Sequence, residues 1–238
     1  MHPLDNPAWN ALIGVQREMG LGNDLARRFH PEISPIAALA DPSSAACWDT
    51  LADLIEAEQT VGVLGYPADA PHSRLTVPWH DTFAQMTCSP ESFRNPASAP
   101  PGLQMRQLTI DDGPAMVALA RATEPGPMEI RTVTLGRYLG IFDEQDGLVA
   151  MAGERMRLEG FVETSGVCTD PRYRGRQYAR VLVSAIAEQI VERGETTFLH
   201  VRQGNPGAAA IYEKLGFSVR ATFEIAGITR RLPTAEQA

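Results

Sequence analysis

Lysine is almost missing from this chain of 238 residues: Lys214 is the single lysine among 21 basic residues, and arginine supplies the rest. We attach no functional meaning to that bias. Cysteine is also scarce, and the three cysteines, Cys47, Cys88 and Cys168, are widely spaced and odd in number. Without a C-x-x-C pair, neither a zinc site nor a disulfide framework is predicted.

Long apolar runs are missing as well. No stretch approaches 18 consecutive apolar residues, and the chain does not start with a basic segment followed by an apolar one. These absences argue against a transmembrane helix and against a secretory signal. We therefore expect a cytoplasmic protein without a membrane partner.

Positive charge is in deficit over the whole chain, since the formal net charge is −8. A strongly acidic chain is a poor candidate for nucleic-acid binding. The deficit is uneven, because residues 160–230 hold nine basic and seven acidic residues. The basic excess of residues 160–230 is compatible with an anion site, while the acidic remainder favours a cationic acceptor.

Residues 167–179 predict a strand, a sharp turn and the start of a long helix. The turn reads Arg-Gly-Arg-Gln-Tyr-Ala over residues 174–179, which brings positive charge to the N-terminus of the helix. The first N–H groups of a helix lack partners inside it, and the helix dipole favours anions there. The pattern therefore predicts a site for a phosphate or pyrophosphate.

A second stretch, residues 205–217, reads Asn-Pro-Gly-Ala-Ala-Ala-Ile-Tyr-Glu-Lys-Leu-Gly-Phe. Together the two stretches resemble the GNAT superfamily of acyl-CoA-dependent N-acetyltransferases, over residues 103–231. The first is similar to that family's pyrophosphate loop, Arg/Gln-x-x-Gly-x-Gly/Ala, and the second to its Asn-x-x-Ala-x-x-x-Tyr-x-x-x-Gly-Phe segment. Gln177 departs from the pattern, because it stands at the fourth position, where the family's loop has glycine, and must hold the backbone without glycine's freedom.

The resemblance implies an α/β (α+β) fold with a mixed, mostly antiparallel sheet and helices on both faces, preceded by a smaller α/β lobe. The strands before and after the long helix would splay apart and admit the pantetheine arm of acetyl-CoA, and no metal is implied. Asn205 is expected both to cap its helix and to contact that arm. The residues implied to bind acetyl-CoA are Val167, Cys168, Thr169, Arg174, Gly175, Arg176, Gln177, Tyr178, Ala179, Arg180 and Asn205.

Acetylation of an amine requires removal of the amine proton, stabilisation of the thioester oxygen and neutralisation of the departing thiolate. By resemblance, Tyr212 lies beside the sulfur and acts as the acid; the alternative is a tyrosine packed on a helix face. Glu163 matches the position of a catalytic glutamate in several family members; the alternative is a strand glutamate that faces solvent. Glu159 and Glu195 are weaker candidates for the base.

Cys168 invites a second interpretation, as a nucleophile. A strand cysteine without a nearby histidine in the sequence is more often a packing residue. His200 lies on the next predicted strand and could approach it in space. We favour packing for Cys168, and direct attack of the amine on the thioester.

Four prolines, at positions 90, 96, 100 and 101, predict a linker over residues 89–102. We therefore divide the chain into an α/β lobe of unknown role, residues 1–100, and a GNAT-like domain, residues 101–238. We expect the lobe to pack separately and to carry no catalytic group. At the end of the chain we predict two antiparallel strands, residues 217–225 and 228–232.

The expected function is transfer of an acetyl group from acetyl-CoA to a primary amine within a ternary complex. The competing hypotheses are an acyl-CoA-binding sensor with little catalytic activity and a regulatory protein. The sequence does not identify the acceptor amine, although residues 124–132 are expected to border its site. Assembly into a homodimer is left open.

Overall fold

Eleven strands of the computed structural model form one mixed sheet, and the structure describes residues 2–66, 73–94 and 96–231. In chain order the strands are β1 (Gly20–Gly22), β2 (Ala26–Phe29), β3 (Ile36–Leu39), β4 (Thr60–Leu64), β5 (Leu75–Cys88), β6 (Gln104–Gln107), β7 (Tyr138–Phe142), β8 (Leu148–Leu158), β9 (Phe161–Thr169), β10 (Thr196–Arg202) and β11 (Ser218–Arg230). Across the sheet they lie in the order β1-β2-β3-β4-β11-β5-β10-β9-β8-β7-β6. Only β3–β4 and β9–β10 pair in parallel among these strands, which confirms the predicted mixed and mostly antiparallel sheet.

Helices cover both faces of this sheet. Within the described ranges they are α1 (Pro7–Ile13), α2 (Ala45–Leu54), α3 (Gly113–Thr123), α4 (Tyr178–Glu192) and α5 (Pro206–Lys214). Met151 of β8 packs with α3, whereas its neighbours Ala150 and Ala152 pack with α4. Because side chains alternate between the two faces of a strand, α3 and α4 lie on opposite faces. In the described part of the chain, no helix combines the length and the apolar composition needed to cross a membrane.

α4 forms because its apolar residues recur at helical spacing. Val181, Leu182, Ile186 and Ile190 are buried on one side of it, as the sequence predicts. Leu182, Ile186 and Ile190 pack against β7, β8 and β9 and hold the helix across the back of these strands. The N-terminus of α4 is thereby fixed at the end of β9, where the turn of residues 174–179 lies.

β5 lies between β10 and β11, although it comes from the other half of the chain. It pairs antiparallel with β10 from Phe83↔Arg202 to Cys88↔Thr197, and with β11 along most of its own length. β11 in turn lies between β4 and β5. The two halves of the chain are therefore joined by exchanged strands within one sheet.

The prediction of two separate strands at the end of the chain is wrong. β11 continues from Ser218 to Arg230 without a turn, and residue 232 lies outside the described residues. A hairpin would need its two strands to pair with each other, but both edges of β11 are occupied by β4 and β5. A register shift between Gly227 and Thr229 is the irregularity found where the turn was predicted.

The sheet is continuous across the predicted boundary at residue 100. The proline-rich segment does connect β5 to β6, but these strands lie on the same sheet, with β6 at its edge. The assignment of different roles to residues 1–100 and 101–238 stays a prediction, and so does the absence of a catalytic group from the first half. The topology argues against separate folding of the second half.

β9 and β10 diverge after a short paired stretch. Their parallel pairing runs from Phe161↔Thr196 to Glu163↔Phe198, and beyond it the described residues of the two strands pair no further. The hydroxyls of Thr164 and Thr197 lie 2.8 Å apart where the strands separate. This leaves a wedge-shaped opening in the sheet, directed toward the start of α4, as the resemblance implies.

We expect that residues 101–238 alone will not fold cooperatively. Without β5, both β10 and β11 lose a partner, and Met86 and Cys88 leave the cluster that packs under α5. Thermal unfolding followed by circular dichroism tests this. As a control, cleavage of the full chain between residues 96 and 102, with both pieces kept together, should leave a folded protein. A cooperative transition and acetyl-CoA binding by the 101–238 fragment would contradict the prediction.

Candidate functional site

A cavity of about 1350 Å³ opens along the wedge between β9 and β10. Its walls come from both halves of the chain. The second half contributes β9, β10, the N-terminal ends of α4 and α5, and residues 120–129. The first half contributes Pro7, Ala8, Gly62, Trp79 and Phe83.

The N-terminus of α4 forms one end of the cavity. Gly175 has φ +78°, and a Cβ built there would meet no atom within 4 Å. Gln177 is the N-cap residue of α4, and its side chain makes no capping hydrogen bond. The N–H groups of the first turn therefore lack partners inside the helix. The arrangement fits a pyrophosphate, as predicted from the sequence.

Gln177 takes the left-handed conformation, with φ 62° and ψ 15°. A residue with a Cβ pays about 1–2 kcal/mol for this conformation relative to the right-handed one. Its oxygen atom Oε1 lies 3.4 Å from Nη1 of Arg180, one turn into the helix. The missing glycine thus leaves the backbone path of the loop intact at a local cost in strain.

Of the eleven residues predicted to bind acetyl-CoA, ten line the cavity. Arg176 lies apart from them, with its guanidinium 5.0 Å from the centre of the Tyr173 ring. Asn205 caps α5, as expected, because its Oδ1 accepts a hydrogen bond of 3.1 Å from the N–H of Ala208. The binding role of all eleven residues stays a prediction, and their position at one cavity supports it.

A β-bulge shapes the strand that would contact the pantetheine arm. Met151↔Cys168 and Gly153↔Ser165 are successive pairs, so β9 has one residue more than β8 between them. Gly166 lies in this bulge with φ +63°. Bulges leave backbone groups outside the ladder and often occur beside active sites. Val167 therefore lies in β9 at a point where its backbone can face the cavity.

Cys168 is a packing residue in this structure. It is buried among α3, β7 and β8, and burial raises the pKa of its thiol to about 11. A thiol with such a pKa carries almost no thiolate at neutral pH, so it is a poor nucleophile. His200 does not approach it, because its ring binds Glu163 instead.

Tyr212 lies on α5 and lines the cavity. It is 8% exposed and packs beside Phe217, with ring centroids 6.0 Å apart. Burial raises the pKa of its phenol to about 12. The hydroxyl therefore keeps its proton at neutral pH, as a hydrogen-bond donor in the cavity must.

Glu163 is fully buried beneath Arg155 and His200, and both of these line the cavity. Its Oε2 accepts from Nε of Arg155 at 2.7 Å, and its Oε1 accepts from Nη2 of Arg155 at 2.8 Å. Nδ1 of His200 lies 2.9 Å from Oε1. Burial alone would raise the pKa of Glu163, but the Arg155 charge and these hydrogen bonds outweigh it and hold the pKa at about 2. Such a carboxylate is ionised but is a weak base.

The first half of the chain continues this buried network. Nε2 of Gln85 lies 3.1 Å from Nε2 of His200 and donates to the carbonyl of Leu4 at 3.0 Å. Oε1 of Gln85 accepts from Nη1 of Arg220 at 2.8 Å, and Arg220 also binds Asp5. Sequence reasoning missed Gln85, because an isolated glutamine on a strand carries no signal for a partner 115 residues away.

Of residues 124–132, predicted to border the acceptor site, residues 124–129 line the cavity and form what we call the acceptor-side segment; their role stays a prediction. The N–H of Glu129 donates to Oγ1 of Thr132 at 2.7 Å, and that hydroxyl donates to the carbonyl of Ile33 at 2.7 Å. The N–H of Arg131 donates to the carbonyl of Glu32 at 2.9 Å. The acceptor-side segment is therefore fastened to the first half of the chain.

Glu129 has a more suitable environment for a base than Glu163. It lines the cavity, and burial raises its pKa against the opposing effect of Arg121. Of the two weaker candidates, Glu195 is paired with Arg157 at 3.2 Å and Glu159 is exposed. Across residues 2–66, 73–94 and 96–231, the structure contains no group of three His, Cys, Asp or Glu side chains that could hold a metal ion.

Comparison with known proteins gives two results at the level of sequence. The family model of FR47-like proteins matches residues 138–225. The [ribosomal protein bS18]-alanine N-acetyltransferase of Haemophilus ducreyi is 32% identical over 84 residues, which is 34% of this chain and 57% of that relative. The match therefore spans little more than half the length of that curated relative.

Solved structures match nearly the whole chain. A protein from Novosphingobium aromaticivorans, assigned to the GNAT family of acetyltransferases, is 35% identical with a TM-score of 0.86, and the match covers 98% of this chain and 100% of that one. A GCN5-related N-acetyltransferase from Kribbella flavida is 18% identical with a TM-score of 0.63, covering 92% and 93% of the two chains. The second likeness shows the fold alone.

We expect Gly175→Val to weaken acetyl-CoA binding at least tenfold, as measured by calorimetry. The added side chain would enter the space beside the first turn of α4 and would strain a backbone with positive φ. Gly194→Val is the matched control, because Gly194 has φ +76°, an equally open Cβ position and a place at the other end of α4. Equal affinity in both folded variants would rule out the predicted pyrophosphate site.

Proposed function

The chain belongs to the GNAT family of acetyltransferases, and on that premise we propose that it transfers an acetyl group from acetyl-CoA to a primary amine by direct attack in a ternary complex. The observation that supports this most is the opening between β9 and β10, which has the N-terminus of α4 at one end and Tyr212 on its wall. Bound acetyl-CoA would supply the thioester carbon that the amine attacks. The chain's own residues bind, orient and move protons.

The cofactor's phosphates would be held by the backbone N–H groups at the start of α4, with Arg174 and Arg180 beside them. The backbone of β9 near Val167 would bind the arm as a neighbouring strand does, and it would donate to the thioester oxygen as negative charge develops there. The open Cβ position at Gly175 supports the first role, and the bulge at Gly166 supports the second.

The phenol of Tyr212 would stabilise the sulfur as the carbon–sulfur bond breaks. Burial raises its pKa to about 12, well above the reference pKa of a thiol, about 8.5. Complete proton transfer to the thiolate is therefore unfavourable. We infer that Tyr212 donates a strong hydrogen bond to the sulfur and that solvent completes its protonation.

The amine proton would pass to Glu129. At pH 7 a lysine-type amine, with a reference pKa near 10.4, is neutral in about one molecule in 2,500, so removal of its proton costs about 4.6 kcal/mol. A carboxylate with a raised pKa is a stronger base, so it accepts the proton and offsets part of this free-energy cost. Glu163 would act indirectly, because both of its oxygens bind Arg155 and one also binds His200.

The general test is a screen of primary amines with acetyl-CoA, followed by detection of the thiol released. The amines should include both alkylamines and α-amines of amino acids. Turnover of one class supports the proposal. Tight acetyl-CoA binding without turnover of any amine would favour the competing hypothesis, an acyl-CoA sensor.

Tyr212→Phe should lower kcat about 100-fold and leave the affinity for acetyl-CoA nearly unchanged. The substitution keeps the ring and deletes one donor to a developing charge, which typically costs that much. Tyr173→Phe is the control, since its hydroxyl binds Asp143 at 2.8 Å near the phosphate end of the cavity. If Tyr212→Phe keeps a near-normal kcat between pH 6 and 9, Tyr212 does not act on the leaving sulfur and is only a packing residue.

Glu129→Gln should slow the reaction most at low pH. The amine then depends on a base, whereas near pH 10 an alkylamine loses its proton unaided. The deficit in kcat should therefore shrink as the pH rises toward the pKa of the amine. Glu124→Gln, in the same segment and exposed, is the control and should match the parent enzyme. A deficit that does not change with pH would mean that Glu129 is not the base.

A further inference from the structure

Arg155 lies at a second β-bulge, at the closed end of the opening between β9 and β10. Glu154↔Thr164 and Arg157↔Val162 are successive pairs of β8 and β9, so Arg155 and Met156 together face Glu163. Glu163 is also the last residue of β9 that pairs with β10. The bulge turns the Arg155 side chain toward the cavity at the point where the strands separate.

Gln16, from the first half of the chain, stabilises this bulge. It is 2% exposed, and its Nε2 donates to the carbonyl of Arg155 at 2.7 Å. Its Oε1 accepts from the N–H of Arg157 at 3.0 Å. The side-chain amide thus replaces the strand partner that the bulged residues lack.

The hydrogen-bond network beside Arg155 has a defined direction. Arg220 can only donate, so the Gln85 atom beside it must be Oε1, and the carbonyl of Leu4 requires Nε2 on the other side. Nε2 of Gln85 then donates to Nε2 of His200, which must be unprotonated. The imidazole therefore carries its proton on Nδ1 and donates it to Glu163.

The ion pair with Glu163 leaves the Nη1 amino group of Arg155 for a ligand. Nε and Nη2 are bound to Glu163, and Nη1 makes no hydrogen bond to a described residue. A Cβ added at Gly126 would lie 3.9 Å from Nη1, so this nitrogen faces the acceptor-side segment. The side chain is 13% exposed, and the residue lines the cavity.

We propose that Nη1 of Arg155 binds a neutral carbonyl oxygen of the acceptor, and that the acceptor is therefore an amine joined to an amide, such as an amino-acid amide or the N-terminus of a peptide. The positive charge of Arg155 is balanced by Glu163, so the pair donates hydrogen bonds without attracting anions strongly. Along residues 120–129 the cavity is lined by two carboxylates, Glu124 and Glu129, against one arginine, Arg121, and this excess of negative charge disfavours a free carboxylate beside the segment. This inference rests on the proposed transfer to an amine. Gln16 and Gln85 act as positioning residues.

The test compares three probes at saturating acetyl-CoA: glycinamide, glycine and ethylamine. Arg155→Lys keeps an ion pair with Glu163 but loses the planar fork that leaves Nη1 free. Its kcat/KM for glycinamide should fall about 10- to 100-fold, mainly through KM, and that for ethylamine less than about threefold. Each ratio compares the same probe in two proteins, so differences in amine pKa cancel. Arg157→Lys, on the same strand and paired with Glu195, is the control and should change none of the ratios.

Equal losses for glycinamide and ethylamine would overturn the proposal, and so would a loss confined to glycine. If the parent enzyme acetylates amines of the wider screen but not glycinamide, the proposal is also overturned. If it acetylates no amine at all, the proposed function itself fails, which is a different result. Should Arg155→Lys not fold, the double variant Arg155→Gln with Glu163→Gln keeps a neutral buried pair and can be assessed in the same way.

A spectroscopic measurement tests the network without turnover. Nitrogen-15 shifts of the His200 ring, assigned by comparison with His200→Asn, should show a protonated Nδ1 and a bare Nε2. In Gln85→Glu the new carboxylate should accept from Nε2, so both ring nitrogens become protonated and KM for glycinamide rises. A proton on Nε2 in the parent protein would refute the direction of the network.

Discussion

The insertion of β5 between β10 and β11 is the constraint on which most of this structure depends. It brings Gln85 beside His200, which lies opposite it in the register of β5 and β10. It occupies the edge of β11 that a terminal hairpin would otherwise use. Because a strand inside a sheet pairs on both sides, the two halves of the chain cannot separate without loss of both ladders. The wedge between β9 and β10 is thus supported from one side by residues of the first half.

The second constraint is the burial of Glu163. An ionised carboxylate with no exposed surface is costly unless it is paired and hydrogen-bonded. Arg155 and His200 satisfy both oxygens, and Gln85 satisfies His200 in turn. Removing one partner of such a pair typically costs about 3–5 kcal/mol, whereas the intact pair contributes little net stability. The main effect of the ion pair is therefore geometric, because it fixes the position of Nη1 of Arg155.

The parts of the site that the sequence predicted are those that local rules specify. The loop of residues 174–179, the cap at Asn205 and the apolar face of α4 each depend on neighbours a few residues away. Gln16, Gln85 and Arg155 were missed, because their partners lie 8 to 141 residues distant and become neighbours only through strand exchange and a bulge. The continuous β11 was missed for the same reason, since edge pairing by a distant strand overrides a local turn pattern.

The two ends of the cavity are built by different parts of the chain, and this has an energetic consequence. The phosphate end consists of residues 174–180 and depends on local backbone conformation, including the strained Gln177. The acceptor end is held by contacts of Gln16, Ile33 and Gln85 with the second half. Sites that share no partners and lie far apart contribute nearly additive free energies. On the proposed function, changes at Gln16 or Gln85 should therefore alter acceptor recognition more than cofactor affinity, because both side chains support second-half residues, Arg155 and His200, that line the acceptor end.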